Sequence, residues 1–156
     1  MSLADRLERE LPAELERLFG LRVTTERIQS RLVVRAPEGT VMLDRDGTVE
    51  GEDLFAEQVA LAVTLLAAGE GGPWAHAKVD PTRGRAFLEK LDRRFQDEIR
   101  AMRLLEGSVT KRHGDFLLVY GERGHGVVHA SGYGTGEGPL WDRLKAVVAM
   151  TAAETL

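Results

Sequence analysis

An apolar stretch of fifteen residues, Leu54 to Ala68, constrains this chain more than any other part of its sequence. Twelve of the fifteen residues are apolar, and the exceptions are Glu57, Gln58 and Thr64. A membrane-spanning helix needs about 20 apolar residues, so this stretch is too short. Gly69 follows it as a typical helix stop. We therefore predict the central helix of a soluble domain, with no membrane span.

The predicted central helix is apolar on two sides. One side forms a stripe suited to packing on a sheet: Phe55, Val59, Ala62, Val63 and Leu66. Leu54, Leu61 and Leu65 lie on the other side and also need a cover. The cover is either another helix of the same chain or the same helix of a second subunit. Because self-complementary patches suit two-fold dimers, we predict a homodimer with these three leucines at its interface.

Composition narrows the class of protein. A chain of 156 residues is the usual length of one domain. It has no cysteine, which excludes disulfides, thiolate nucleophiles and cysteine metal sites. No apolar leader segment opens the sequence, and we expect a cytoplasmic protein. The net charge of -4 argues against a general nucleic-acid-binding protein, because phosphate affinity depends on clustered positive charge.

The remaining patterns predict helices and strands in two halves that share their order of elements but little sequence. Leucines at helical spacing predict a first helix from Leu3 to Leu18, with a kink or break at Pro12. Alternation of apolar and polar residues with a period of two then predicts strands. Apolar residues that recur every three or four positions predict further helices. The predicted strands are 21–36, 40–43, 48–50, 108–112, 116–120 and 127–131, and the later helices are 82–106 and one that starts at Pro139.

The order α-βββ-α-α-βββ-α predicts one α+β domain over residues 1–156, with a two-half organisation, 1–68 and 82–156. Strands that follow one another through short turns form an antiparallel sheet, here of about six strands, with the helices packed on it. Residues 132–138, GYGTGEG, are expected to be a flexible loop before the last helix. A phosphate cradle is the alternative for this loop, although its glycine spacing fits neither common phosphate motif.

Residues 41–49, VMLDRDGTV, resemble the first motif of the haloacid dehalogenase-like phosphatases, a hydrophobic strand followed by Asp-x-Asp-Gly-Thr. The resemblance implies that Asp44 is the nucleophile, Asp46 the general acid and base, and Mg²⁺ the cofactor. A carboxylate can form such a covalent intermediate, and a metal offsets the repulsion between anions. The later motifs of that family are missing, and Asp-Gly is also a common hairpin turn. A Mg²⁺-dependent phosphohydrolase is therefore an alternative function.

The order of elements is also similar to that of Roadblock/LC7 domains, which are small dimeric adaptors. That resemblance depends on the first helix, the Asp-Arg-Asp-Gly hairpin and the alanine-rich helix. The same order resembles secretion-chaperone-like binding modules. Both similarities concern the fold, and a shared fold does not transfer function.

Three histidines, His113, His125 and His129, fall within seventeen residues. On one strand, His125 and His129 would lie about 13 Å apart at about 3.3 Å per residue, too far to share a metal ion directly. Ser131, His129 and Asp115 are the residue types of a catalytic triad. Ser131 lacks the Gly-x-Ser-x-Gly turn that exposes a nucleophile. We predict neither a metal site nor a catalytic set here.

Residues 81–113 carry nine Lys or Arg and five acidic residues. A basic face on helix 82–106, with Arg93, Arg94 and Arg100, is a second alternative site, for nucleic acid or an acidic partner. Glu89 with Arg93 and Arg94 with Glu98 have i, i+4 spacing, which would neutralise part of that face. The leading hypothesis is a non-enzymatic, dimeric binding or adaptor module that recognises a protein or a small ligand.

Overall fold

The computed structural model describes residues 2–51, 53–68, 74 and 78–156. The chain divides into two compact units, residues 1–72 and residues 73–156. Each unit has a helix, a four-stranded antiparallel sheet and a second helix, in that order. The predicted α+β class is confirmed. The single sheet of about six strands is wrong, because the described residues form two separate sheets of four strands.

The first unit contains two helices and four strands. Its elements are α1 (Leu3–Phe19), β1 (Thr24–Ile28), β2 (Arg31–Ala36), β3 (Gly39–Leu43), β4 (Val49–Glu50) and α2 (Leu54–Ala68). The strands pair in sequence order, each antiparallel to the next. Helix α1 packs on α2 and β1, and α2 also packs on β3 and β4.

The second unit repeats the same order with longer helices. They are α3 (Pro81–Ala101), a 3-10 turn (Arg103–Leu105), β5 (Val109–His113), β6 (Phe116–Gly121), β7 (Gly124–His129), β8 (Gly134–Glu137) and α4 (Gly138–Thr155). Helices α3 and α4 pack on each other, α3 packs on β5 and β6, and α4 packs on β7 and β8. The core between these helices and the sheet is mainly apolar, from Phe87 and Phe95 on α3 to Trp141 and Leu144 on α4.

Helix α1 runs through Pro12 as one helix, so two shorter helices do not form. Ser2 and Asp5 make a capping box at its start, and Gly20 ends it in a left-handed conformation. Leu7, Leu11, Leu15 and Leu18 on one side of the helix are all buried. This continuous apolar face favours a single helix in spite of the backbone donor that proline removes.

The segment 21–36, predicted as one strand, contains the hairpin of β1 and β2. The turn between them has Gln29 at a φ of 57°, in the left-handed region. Glycine or asparagine usually marks such a turn, and here neither is present. Ile28 and Leu32 keep the period-two spacing on either side of the polar residues Gln29 and Ser30, and no glycine or asparagine marks the boundary.

The segment 132–138, predicted as a flexible loop, contains the edge strand β8. Val127 pairs with Thr135, and Gly126 pairs with Gly136. The glycines face α4, where the indole of Trp141 lies on them: an added Cβ at Gly134 would come within 2.9 Å of that ring. Glycine is therefore needed at these positions because the indole ring approaches the strand closely. The phosphate-cradle alternative required a loop, and these residues form a strand.

Among the described residues, no helix combines the length and the apolar character needed to cross a membrane.

Candidate functional site

Asp44 and Asp46 lie in the turn that joins β3 to β4. The carboxylate of Asp46 accepts a hydrogen bond from the Thr48 backbone N–H at 2.9 Å, which lowers the pKa of Asp46. Asp44 pairs with Arg31, Nε to Oδ1, at 3.3 Å. β3 is antiparallel to both of its neighbours, whereas the phosphatase motif belongs on a parallel strand. The geometry thus accounts for both carboxylates as parts of a hairpin.

The three leucines predicted at a dimer interface differ widely in exposure. Leu54 is 40% exposed, Leu65 is half-buried, and Leu61 is fully buried within the chain. The covering of Leu61 by the same chain is the alternative that the sequence left open. It leaves Leu54 as the exposed member of the set.

Two of the three arginines on the predicted basic face have acidic partners. Arg94 pairs with Glu154 at 2.7 Å and donates to Thr151 Oγ1 at 2.9 Å, both on α4. Arg100 pairs with Asp97. Glu98, predicted to pair with Arg94, pairs instead with Arg143 of α4. Lys90 and Arg94 therefore connect α3 to Glu154 of α4, whereas Arg100 pairs within α3.

Arg93 is the exception on this face. It is exposed and has no ion pair or hydrogen bond within the described part of the chain. The predicted pair with Glu89 does not form. Arg93 remains available to a partner, whereas Arg94 and Arg100 are already in ion pairs.

A cavity of about 550 Å³ lies in the second unit, where the start of α3 meets the ends of β5 and β7. Gly84, in the first turn of α3, makes this meeting close, because an added Cβ would come within 3.0 Å of the Ala130 Cβ. The backbone N–H of Ala130 donates to the Asp115 carbonyl, which ties the β5–β6 turn to the end of β7. Three separated segments thus form one rim.

One wall of this cavity is apolar and aromatic. Val79, Leu88, Ala130 and Trp74 line it. Trp74 is 8% exposed and stacks on His129, with ring centroids 6.2 Å apart. Phe116 and Tyr133 meet the same indole edge-on, at 5.4 and 5.3 Å. A ligand in the cavity would therefore contact Trp74 and His129, and Phe116 and Tyr133 pack against the Trp74 ring.

Arg85 and Arg112 bring two positive charges to the cavity. Arg112 lies next to the β5–β6 turn and pairs in register with Leu117, a core residue, so it is on the face of the sheet that α3 covers. Arg85 follows Gly84 on α3. Within the described residues, neither arginine has an ion pair or hydrogen bond. Asp115 is the acidic residue in the lining.

His129 supplies a buried polar group to the same cavity. It is 8% exposed, and its Nδ1 accepts a hydrogen bond from the Ser131 backbone N–H at 3.1 Å. The neutral ring therefore carries its proton on Nε2. Burial lowers the pKa of His129, and the nearby Asp115 carboxylate partly opposes that shift. Near neutral pH, His129 is an uncharged hydrogen-bond donor.

The three residues that resembled a triad do come together around His129. The Ser131 hydroxyl lies 2.9 Å from His129 Nδ1, and Asp115 interacts with the ring electrostatically. The Nδ1 lone pair, however, already accepts the Ser131 backbone N–H. A general base needs that lone pair for the hydroxyl proton, so the arrangement is better suited to holding the ring in place.

The three histidines considered as metal ligands from the sequence, His113, His125 and His129, lie on β5 and β7 of the same sheet. His113 and His129 are both aligned with Phe116, on the strands to either side of it. Within the part of the chain that the structure describes, no three His, Asp or Glu side chains lie close enough together to hold a metal ion.

The sequence analysis did not identify Trp74, Arg85 and Arg112 as candidate site residues. The predicted helix 82–106 and the predicted strands 108–112 and 116–120 do place the two arginines near the ends of elements. No periodicity connects residues from different elements, so the cavity itself could not be predicted from the sequence.

Comparisons of the chain with protein-family models, with curated proteins and with solved structures found no match.

Proposed function

We propose that this chain is a non-enzymatic binding module whose second unit receives a small anionic ligand in the cavity beside Trp74. The observation that carries the proposal is that Arg85 and Arg112 line one cavity, opposite an apolar wall, without an ion pair in the described part of the chain. Arg93 is also an exposed arginine without an ion pair in the described part of the chain; Arg85 and Arg112 differ from it because both line the same cavity.

The size and chemistry of the cavity support this function. Small-molecule sites usually measure about 300 to 1,000 Å³ and combine apolar walls with a few convergent polar groups. This cavity measures about 550 Å³, with Trp74, Val79 and Leu88 as its apolar part. The two guanidinium groups would bind the anion, and the aromatic cluster would contact the rest of the ligand.

The arrangement around His129 supports binding rather than catalysis. Its Nδ1 is engaged by the Ser131 backbone, and its pKa is lowered by burial, so the ring stays neutral. The remaining Nε2–H is suited to donating a hydrogen bond to a ligand oxygen. Binding to a fixed neutral donor requires no proton transfer.

Fluorescence titration with anilinonaphthalenesulfonate, an aromatic anion, tests the proposal. We expect saturable binding to the wild-type protein and a loss of affinity of about tenfold or more in both Arg85→Gln and Arg112→Gln, as for charge-assisted contacts. Arg93→Gln is the matched control, because Arg93 is an exposed arginine on the same helix outside the cavity. It should bind like the wild type.

The uncharged analogue N-phenylnaphthylamine separates charge from apolar contact. Its affinity should be weak and should not differ between the wild type and the two arginine variants. Equal binding of the sulfonate to all four proteins would overturn the proposal, because the arginines would then have no part in recognition.

A further inference from the structure

We propose, on the basis of this function, that the cavity selects a carboxylate attached to an aromatic or apolar body, in preference to a phosphate. The inference follows from the charges and donors around the cavity. It concerns the ligand's head group, whereas the function above requires only an anion.

The side chains that line the cavity carry a net charge of +1. Arg85 and Arg112 are positive, Asp115 is negative, and His129 is held neutral by its Nδ1 contact with the Ser131 backbone. A monoanion balances this charge. A phosphate dianion would bring an excess of negative charge close to the Asp115 carboxylate.

The start of α3 does not offer the donors of a phosphate site. Phosphates commonly bind the free N–H groups in the first turn of a helix. Here the Asp80 carboxylate already accepts from the N–H groups of Thr82 and Arg83, at 2.9 and 3.2 Å. The Gly84 N–H donates to the Asp80 carbonyl. The negative charge of Asp80 also offsets the positive end of the helix dipole.

The donors that remain suit a carboxylate. A guanidinium group matches the two oxygens of a carboxylate with two parallel N–H donors. His129 also lines the cavity, and its neutral ring carries one further donor, the Nε2–H. Asp115 disfavours a second acid on the ligand and can accept a hydrogen bond from a ligand N–H or O–H.

The apolar part of the cavity indicates what the carboxylate is attached to. Trp74, Leu88 and Val79 would cover a ring or a branched apolar group. Two sources provide this chemistry: a free aromatic acid, and the C-terminus of a peptide that ends in an aromatic residue. Both present one carboxylate next to an apolar body.

Calorimetric titration of the full chain with matched ligands tests the inference. Indoleacetate and indoleacetamide represent the free acid and its neutral control. The tripeptide Gly-Gly-Phe, N-acetylated, with a free or amidated C-terminus, represents the peptide source. Phenyl phosphate represents the phosphate. At least one carboxylate should bind about tenfold or more tighter than its amide and tighter than phenyl phosphate, and the tighter of the two acids identifies the source.

Two variants connect the preference to the residues. Arg112→Gln should abolish the difference between the acid and its amide. Asp115→Asn should increase the affinity for phenyl phosphate more than the affinity for the carboxylate, because it removes the charge that opposes a dianion. A merely structural role of Asp115 would change both affinities together.

The possible failures are distinguishable. If phenyl phosphate binds more tightly than both acids and this binding depends on Arg85 and Arg112, the carboxylate inference is wrong and the anion-binding function stands. If no anion, anilinonaphthalenesulfonate included, responds to the arginine variants, both proposals fail.

Discussion

The indole of Trp141, on α4, lies so close to the backbone of Gly126, on β7, that a side chain at position 126 has no room. An added Cβ would come within 2.6 Å of the indole Cζ3, and its three nearest atoms all belong to the Trp141 ring. Gly134 and Gly136 on β8 face the same ring. The glycines of this sheet are therefore a packing surface for a large aromatic residue.

Gly126→Ala should destabilise the second unit by about 1 to 3 kcal/mol, the usual cost of overpacking a tight core. The φ of Gly126 is not positive, so backbone strain does not contribute. Denaturant unfolding followed by circular dichroism measures the loss. Trp141→Leu, which removes the ring, should make the alanine substitution nearly neutral in the double variant. An undiminished loss in that background would show that the ring is not the cause.

The same contact explains why strand β8 escaped prediction. A strand is recognised by apolar side chains at every second position. In β8 the positions facing the core are Gly134 and Gly136, and the apolar group that covers them belongs to α4. The strands that carry apolar side chains of their own, such as β6 and β7, were located to within a few residues. The information on β8 resides in the contact of its glycines with Trp141 of the next helix, which a period-two pattern of apolar residues does not contain.

The candidate site divides in a similar way. The cap at Asp80 and the turn at Gly114-Asp115 were predictable, since each depends on residues adjacent in sequence. The convergence of Arg85, Arg112 and His129 depends on the packing of α3 against the sheet. The acidic turn at Asp44 and Asp46 was recognisable as a candidate site because its whole motif lies within residues 41–49. The cavity has no such local motif.

Leu61→Arg should abolish cooperative unfolding or soluble expression, because Leu61 is fully buried within the chain. Leu54→Arg, on the same helix, should stay folded with a thermal midpoint within a few degrees of the wild type, because Leu54 is 40% exposed. Circular dichroism and light scattering measure folding and mass together. A folded Leu61→Arg monomer obtained from a wild-type dimer would contradict this and restore Leu61 to a subunit interface.

Arg94→Glu should lower the thermal midpoint, and Arg93→Glu should not. Arg94 connects α3 to Glu154 and Thr151 of α4, so a glutamate there would face Glu154 and repel it. Hydrogen bonds from Lys90 and Arg94 lower the pKa of Glu154, which shows that its charge is stabilised in the fold. Thermal unfolding at low and high salt tests the pair.

The decrease in thermal midpoint caused by Arg94→Glu should be smaller at high salt, as expected for surface charges.

The same two variants test the nucleic-acid alternative. Retention on a DNA column lost in Arg93→Glu while the fold is intact would favour that alternative, whereas a loss in Arg94→Glu alone would reflect the fold.

Acidification should destabilise the second unit through His129. Its pKa in the folded state is lowered by burial, so below the ordinary histidine value of 6.5 the unfolded chain binds the proton more readily. The stabilisation from the neutral ring is therefore fully present well above pH 6.5. It is lost as the pH falls from 6.5 to the lowered pKa of the folded state. Unfolding free energies between about pH 7.5 and 5 should show this slope in the wild type.

His129→Gln removes the titrating group and keeps a polar side chain, so its unfolding free energy should depend less on pH in that interval. Asp115→Asn should have the opposite effect. The Asp115 carboxylate raises the pKa of His129 against the effect of burial, so its removal lowers that pKa further. The acid-induced loss should then extend to lower pH and become larger than in the wild type. Equal slopes in the three proteins would show that His129 does not control the pH dependence, and that the neutral donor assumed in the cavity needs another explanation.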